Sequence, residues 1–393
     1  MAITDKEQGV WELEEVYNKI NEGGIWTYTG ANYVMWGWGQ NQNGQLAQNS
    51  GGPTVYSSPI QLPGEGWSKI KKTSSNGGSL ATKSDGTLWA WGVNDYGLLG
   101  LNDTNKRSSP VQLPGTTWST ISGNGSFTFV TKTDGTLWTM GRNNSSSDYT
   151  GELGLNDAVS RSSPTQLPGT TWGSADDKMG VGAMAAFNIK TDGTLWGMGG
   201  RNENGELGQN NTTHYSSPVQ IGTQTTWSKV TGTGMNATIA TKTDGTLWVW
   251  GNPTRGQLGL NNGSPSGHRS SPTQLPGTDW GGVIDGGGAF VFAIKTNGEL
   301  WGWGQGKDGH LGNNSVTYYS SPIQIGTDTT WNAIEANASF TIATKTDGTL
   351  WNWGQDGRLG VNTGAARSSP VQIPGTWTTI LGGAEYSTYA LKQ

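Results

Sequence analysis

The chain has 393 residues, a formal net charge of −5, 13% charged residues, 64 Gly, 21 Trp and no Cys. Without cysteine, disulfides and thiolate metal sites are excluded, and without a Lys/Arg run a nucleic-acid or anionic-membrane partner has no electrostatic basis. Low charge combined with abundant Trp and Gly excludes a disordered chain and points to a turn-rich all-β protein.

The first thirty residues carry no repeat. Thr4-x-x-Glu7 fits a capping box. Val10, Leu13, Val16, Tyr17 and Ile20 follow at helical spacing, and Gly23-Gly24 ends the run. The spacing predicts a short amphipathic arm over residues 1–30, with Gly9 allowing a later start. The start, MAITDKEQGV, has no apolar core of a secretory signal, and no later run reaches a membrane span.

From about residue 31 one phrase recurs: T-K-T-D-G-T-L-W-x-W-G, then G-x-L-G, then S-S-P-x-Q, then P-G-T-x-W. The Ser-Ser-Pro prolines are Pro59, Pro110, Pro164, Pro218, Pro272, Pro322 and Pro370, at intervals of 48 to 54 residues. A repeat of that length with fixed Trp, Gly and turn positions predicts a propeller or solenoid. Within one unit, strands are predicted at 227–230, 237–242, 246–250 and 272–275, with Asp244-Gly245 as the tight turn of a hairpin. Trp248 and Trp250 alternate onto one strand face. Small segments such as Gly286-Gly287-Gly288 precede the second strands and predict crowding near a common axis. The chain stops after a second strand at 386–393, and the missing third strand stands at 33–39. Joining the two ends closes a ring, so the prediction is an all-β, seven-bladed propeller of four-stranded blades spanning 31–393.

These elements resemble the regulator of chromosome condensation repeat family. The resemblance implies a seven-bladed propeller and a protein-binding role. Founding members of the family are nucleotide-exchange factors for a small GTPase that also bind chromatin, and similar bacterial propellers inhibit β-lactamases. The exchange factors carry a projecting loop and a basic N-terminal tail. Here the longest interruption is an Asn/Ser-rich loop from Arg142 to Thr150, and no basic tail is found. The N-terminal Gly9-Val10-Trp11-x-Leu13-x-Glu15-Val16-Tyr17 with Trp26 resembles a leader of tailed-bacteriophage structural proteins.

No catalytic constellation is evident. His214, His268 and His310 stand at unrelated offsets on different units and read as loop histidines rather than a metal triad. Asp85, Asp134, Asp192, Asp244 and Asp347 read as turn residues, because Asn297 replaces the carboxylate at one copy. The loops before Ser-Ser-Pro end in Tyr56, Arg107, Arg161, Tyr215, Arg269, Tyr319 and Arg367. Tyr and Arg are favoured interface anchors. Tyr149, His214, His268 and Tyr318 break the repeat in or near the same loops. The reading is therefore a non-enzymatic virion protein of a tailed phage, without cofactor. An arm of Val10, Trp11, Leu13, Val16, Tyr17, Ile20 and Trp26 anchors it or makes an oligomer. The loop residues contact another virion subunit or a host receptor. The alternatives are a free protein-binding propeller (an inhibitor or scaffold) and, behind it, an exchange factor.

Overall fold

The computed structural model describes residues 33–393, apart from 50–54, 74–76, 124, 145–150, 262–266, 356–359, 361–364, 376, 385–386 and 393. The predicted arm and Tyr149 lie outside the described residues.

Seven antiparallel sheets of four strands each make the fold. Blade 4 shows the pattern: Trp227–Gly232, Ala237–Lys242, Leu247–Gly251 and Arg269–Leu275, each strand paired with the next in sequence. Five more blades are built from successive strands in the same way. Blade 7 is made from both ends of the chain. Its strands are Thr379–Ala384, Ser387–Lys392, Val34–Gln40 and Val55–Glu65, in that spatial order. Val34 to Gly39 pair residue by residue with Lys392 to Ser387. The predicted closure is therefore the observed one. Each first strand packs against the first strands of the two neighbouring blades, which carries the ring around a central channel.

The fourth strands differ from expectation in one respect. Blade 4's fourth strand was predicted from residue 272 but begins at Arg269, so Ser-Ser-Pro lies inside it. Proline is tolerated there because the fourth strand is the outer edge of its sheet, where a missing N–H removes no ladder bond. An irregularity in register at the Ser-Ser-Pro segment recurs in blade after blade.

Three repeated devices hold the ring. The first is the tight turn: Thr246 donates from both N and Oγ1 to Asp244 Oδ1 at 3.0 and 2.7 Å, and Trp248 Nε1 donates to Thr246 Oγ1 at 2.9 Å. Where Asn297 replaces Asp, Glu299 N donates to Asn297 Oδ1 at 3.1 Å, and Glu299 Oε2 takes the Trp301 indole. The repeated carboxylates are thus turn groups. The second device crosses between blades. The carbonyl of the variable residue in G-x-L-G accepts an indole N–H from the next blade, as in Trp250 to Glu206 at 2.7 Å, Trp303 to Gln257 at 3.0 Å and Trp353 to His310 at 2.9 Å.

The third device explains Ser-Ser. Asn102, at φ +62°, donates its N–H to Ser162 O of the next blade at 2.8 Å, and its Oδ1 accepts the Ser163 hydroxyl at 3.0 Å. Asn tolerates this left-handed backbone better than other residues with a side chain. Close approach across the same joint requires glycine: a Cβ on Gly97 (φ +78°) would lie 2.4 Å from Ser162 Cα.

Candidate protein-binding face

Because consecutive strands run antiparallel, their connections alternate between the two faces of the ring. One face carries the third-to-fourth-strand loops and the first-to-second-strand turns; we call it the loop face. The other, the turn face, carries the Asp-Gly turns and the blade-to-blade connections. Tyr33, where the described structure starts, and Lys392, at the end of the last strand, both lie on the turn face.

The two faces differ in chemistry. On the turn face the lysine before each Asp-Gly turn lies over two indoles. Lys242 Nζ is 4.8 Å from the Trp227 ring centre and 3.7 Å from that of Trp248. Lys295 and Lys345 repeat the arrangement and pair with Asp279 and Asp328 at 2.9 and 2.6 Å. The lysine and its hydrogen-bond donors hold the Asp328 carboxyl down to about 2. The lysines of this face are held by neighbouring rings and carboxylates of the same chain.

The loop face differs in its exposed apolar groups. Among the described residues the exposed large hydrophobic side chains are Val55, Tyr96, Val159, Met235, Val316 and Tyr318. All of them lie on the loop face. Val316 is 63% and Tyr318 42% exposed. Among the described residues these exposed apolar groups gather on one face, which makes it the candidate interaction surface.

The predicted Tyr/Arg set occupies one register position. Tyr56, Arg107, Arg161, Tyr215, Arg269, Tyr319 and Arg367 stand opposite the glycine at or next to the end of the third strand of each blade: Gly39, Gly92, Gly141, Gly199, Gly251, Gly304 and Gly354. Equivalent register in seven blades brings them to one level near the loop-face rim. Each is half-buried. Arg107 and Arg161 bond Asp103 and Asp157 at 2.5 Å, and those bonds and nearby backbone N–H groups hold both carboxyls below their ordinary range. Arg269 donates to the Gly267 and His268 carbonyls, and the Tyr215 hydroxyl accepts from Asn211 at 3.0 Å.

The three histidines do not converge. His268 is exposed and His214 half-buried. His310, expected as a loop histidine, is 7% exposed and lies against Phe290 at 5.1 Å, with no hydrogen-bond partner on either ring nitrogen among the described residues. Burial pushes its pKa down to about 4. The cause is its place in G-x-L-G. The equivalent side chains Gln45 and Gln257 turn inward to accept the N–H of the residue two before them, at 2.7 Å, and imidazole takes the same slot. Among the described residues no group of three or more His, Asp or Glu is arranged to hold a metal ion. No described helix is long and apolar enough to cross a membrane.

Sequence reasoning missed the central channel. A cavity of about 630 Å³ lies among the first strands and first-to-second turns. Its wall carries Lys71, Asp176, Asp177, Lys229, Asp285 and Glu335. Lys71 Nζ is bonded to Glu335 Oε1. Lys69 Nζ is 2.9 Å from Asp176 Oδ1. Burial lowers the Lys229 pKa, against the pull of Asp177. Asp285 Oδ2 accepts the Ala336 N–H at 2.6 Å, and its other oxygen faces Thr231 Oγ1 at 3.4 Å. Burial and the neighbouring Glu335 raise Asp285 to about 7. The available signal was departure from the repeat. The residue after the first-strand Ile or Val is Ser122 in blade 2 and Thr231 in blade 4, but Lys71, Asp285 and Glu335 in blades 1, 5 and 6.

Residues 85–130 and 297–344 match the Regulator of chromosome condensation (RCC1) repeat. The chain is 28% identical over 229 residues to the Ultraviolet-B receptor UVR8 of Arabidopsis thaliana, covering 57% of this chain and 50% of that protein. It is 26% identical over 250 residues to the mitochondrial RCC1 domain-containing protein RUG3 of the same plant, covering 60% and 53%. The chain thus spans about half the length of these two curated relatives. Among solved structures, human WBSCR16 superposes with a TM-score of 0.77 at 19% identity, over 92% of this chain and 99% of that one. Prp20p of Saccharomyces cerevisiae superposes at 0.78 and 16% identity, over 92% and 91%.

Proposed function

We propose that this seven-bladed propeller, two stretches of which match the RCC1 repeat, is a non-enzymatic protein-binding propeller that engages its partner through the loop face. The observation that carries the reading is the one-sided distribution of exposed apolar side chains, Val55, Tyr96, Val159, Met235, Val316 and Tyr318. The rim of Tyr56, Arg107, Arg161, Tyr215, Arg269, Tyr319 and Arg367 supplies anchors of the type interfaces favour. His214, His268, Tyr318 and Tyr149 complete the proposed contact set. The comparisons lend support: the solved Prp20p is described by its binding properties to Gsp1p and histones.

A finer reading places the protein on a tailed-phage particle. It rests on the leader-like residues 9–26, with Val10, Trp11, Leu13, Val16, Tyr17, Ile20 and Trp26 as the anchoring side chains. The test is to run particles from the source on a density gradient and follow this chain by peptide mass spectrometry, with and without residues 1–30. Co-migration that is lost on deletion supports the anchored reading. A free, monomeric chain that binds its partner through the loop face supports the inhibitor or scaffold reading instead. Accelerated nucleotide release from a small GTPase would favour the exchange-factor reading.

A further inference from the structure

The cavity opens on the loop face, because the first-to-second-strand turns form its mouth: Gly234 and Met235, Gly287 and Gly288, and Asn337 to Ser339. The mouth is continuous with the densest part of the exposed apolar surface. Met235 lines the cavity and is 42% exposed, and its carbonyl accepts from Gln257 Nε2 at 3.2 Å. Gln305 also lines the cavity and donates to the Tyr318 hydroxyl at 2.9 Å. The Arg255 guanidinium lies over the Tyr318 ring at 5.9 Å. Val316 stands two residues before Tyr318. One patch thus runs from the rim of blades 4 and 5 into the channel.

Among the described residues four carboxylates and, counting Lys178 beside Lys229, four lysines lie in or beside the channel, but they are not matched one to one. Asp176 has Lys69, Asp177 faces Lys229, and Glu335 has Lys71. Asp285 has no ion pair of its own among the described residues and shares the field of Lys71 with Glu335. A partly buried carboxylate beside another costs free energy that a joining cation relieves. A second group is also unmet. Asn337 is 3% exposed and lines the same cavity, and its side-chain Nδ2 has no hydrogen-bond partner among the described residues. An amide N–H of that kind calls for a carbonyl oxygen. A cation and a carbonyl in one entering group, behind an apolar rim, describe a peptide segment.

We propose that the channel receives a basic side chain, Arg or Lys, from an inserted loop of the partner protein, with apolar neighbours on Met235, Val316 and Tyr318, its charge against Asp285 and Glu335, and a backbone carbonyl on Asn337. The proposal rests on the loop-face reading and narrows it to one partner chemistry.

The test uses the full chain and a capped hexapeptide with one Arg between two leucines. Matched peptides carry Glu or norleucine in place of Arg, and butylguanidine alone is a further probe. Calorimetry at neutral pH reads affinity. The expected result is binding of the Arg peptide, at least tenfold weaker binding of the norleucine peptide, and none of the Glu peptide. Asp285→Asn, which keeps an acceptor for Ala336, and Met235→Ser, an exposed change, should each weaken the Arg peptide about tenfold. Equal binding of the Arg and Glu peptides, no binding of any, or affinity unchanged in both variants overturns the proposal. Butylguanidine binding as tightly as the peptide overturns the peptide assignment. A photo-crosslinking residue at Tyr318 separates the two readings. If it captures partner equally in the Asp285→Asn background, the loop face stands and the channel proposal falls.

Discussion

Replacing Trp250 by Met tests how the blades are joined. Trp250 is fully buried, stands edge-on to Phe187 and Trp227 at 6.1 and 6.2 Å, and donates its indole N–H to Glu206 O of the preceding blade at 2.7 Å. Blades 2 and 3 carry Met140 and Met198 at the equivalent position, both fully or almost fully buried, so the slot accepts a thioether. The substitution removes on the order of 60–80 Å² of buried ring, worth about 2 kcal/mol. It also loses one hydrogen bond, worth about 1 kcal/mol. The carbonyl is not stranded, because Thr238 Oγ1 also donates to Glu206 O at 3.1 Å. The total is about 3 kcal/mol. Thr238→Val alone should cost about 1 kcal/mol for the same reason. In the double variant the carbonyl loses both donors, and the penalty for a bare buried acceptor adds about 1–2 kcal/mol beyond the sum. Urea unfolding of the four proteins reads this directly, provided the slope of free energy against urea stays constant. Additivity within about 0.5 kcal/mol would refute a shared acceptor across the blade joint.

Other outcomes follow from the same geometry. Asn102→Ala should lose about 1–2 kcal/mol, from the left-handed backbone and the lost Ser163 contact, while Asn102→Gly keeps the backbone and loses less; urea midpoints give the order. Gly193→Ala sets a Cβ 2.0 Å from the Thr225 carbonyl at φ +78° and should cost more than about 3 kcal/mol or abolish folding, read by thermal melting. His310 has its pKa lowered from 6.5 to about 4, so its contribution to stability is complete above 6.5 and is lost as pH falls toward 4. His310→Gln should remove that loss, a difference of about 3 kcal/mol between the two proteins' pH profiles from 6.5 to 4. The raised pKa of Asp285 works in the opposite sense, with stability falling as pH rises from 3.8 toward 7, so the comparison must be between variant and parent at each pH.

Much of this fold is legible in the sequence because the same physics is stated seven times. Asp-Gly, the alternating Trp pair and the divided last blade each have a local cause that residues alone display. The Ser-Ser of Ser-Ser-Pro is different: its partner is Asn102 or an equivalent about sixty residues earlier, on another blade, and spacing alone does not reveal that pairing. The carbonyl that receives each indole belongs to the variable position of G-x-L-G, and backbone acceptors leave no mark on residue choice. His310 read as a loop residue because it shares no offset with the other two histidines, yet its slot is built for an inward-turned side chain. The one-sided surface became visible only when strand direction assigned Met235 and Val316 to the same face. Lys71, Asp285 and Glu335 are far apart in sequence and meet only because the ring closes.

The claim that partners bind through the loop face is tested most directly by photo-crosslinking from each face in turn. A photo-reactive residue at Tyr318 reports on the loop face, and one at the exposed Thr116, in a blade-to-blade connection, reports on the turn face. Partner peptides should appear in the Tyr318 adduct, be absent from the Thr116 adduct, and fall by at least tenfold when Val316 and Met235 are changed to Ser. Partner adducts at Thr116 alone, with none at Tyr318, would contradict the account.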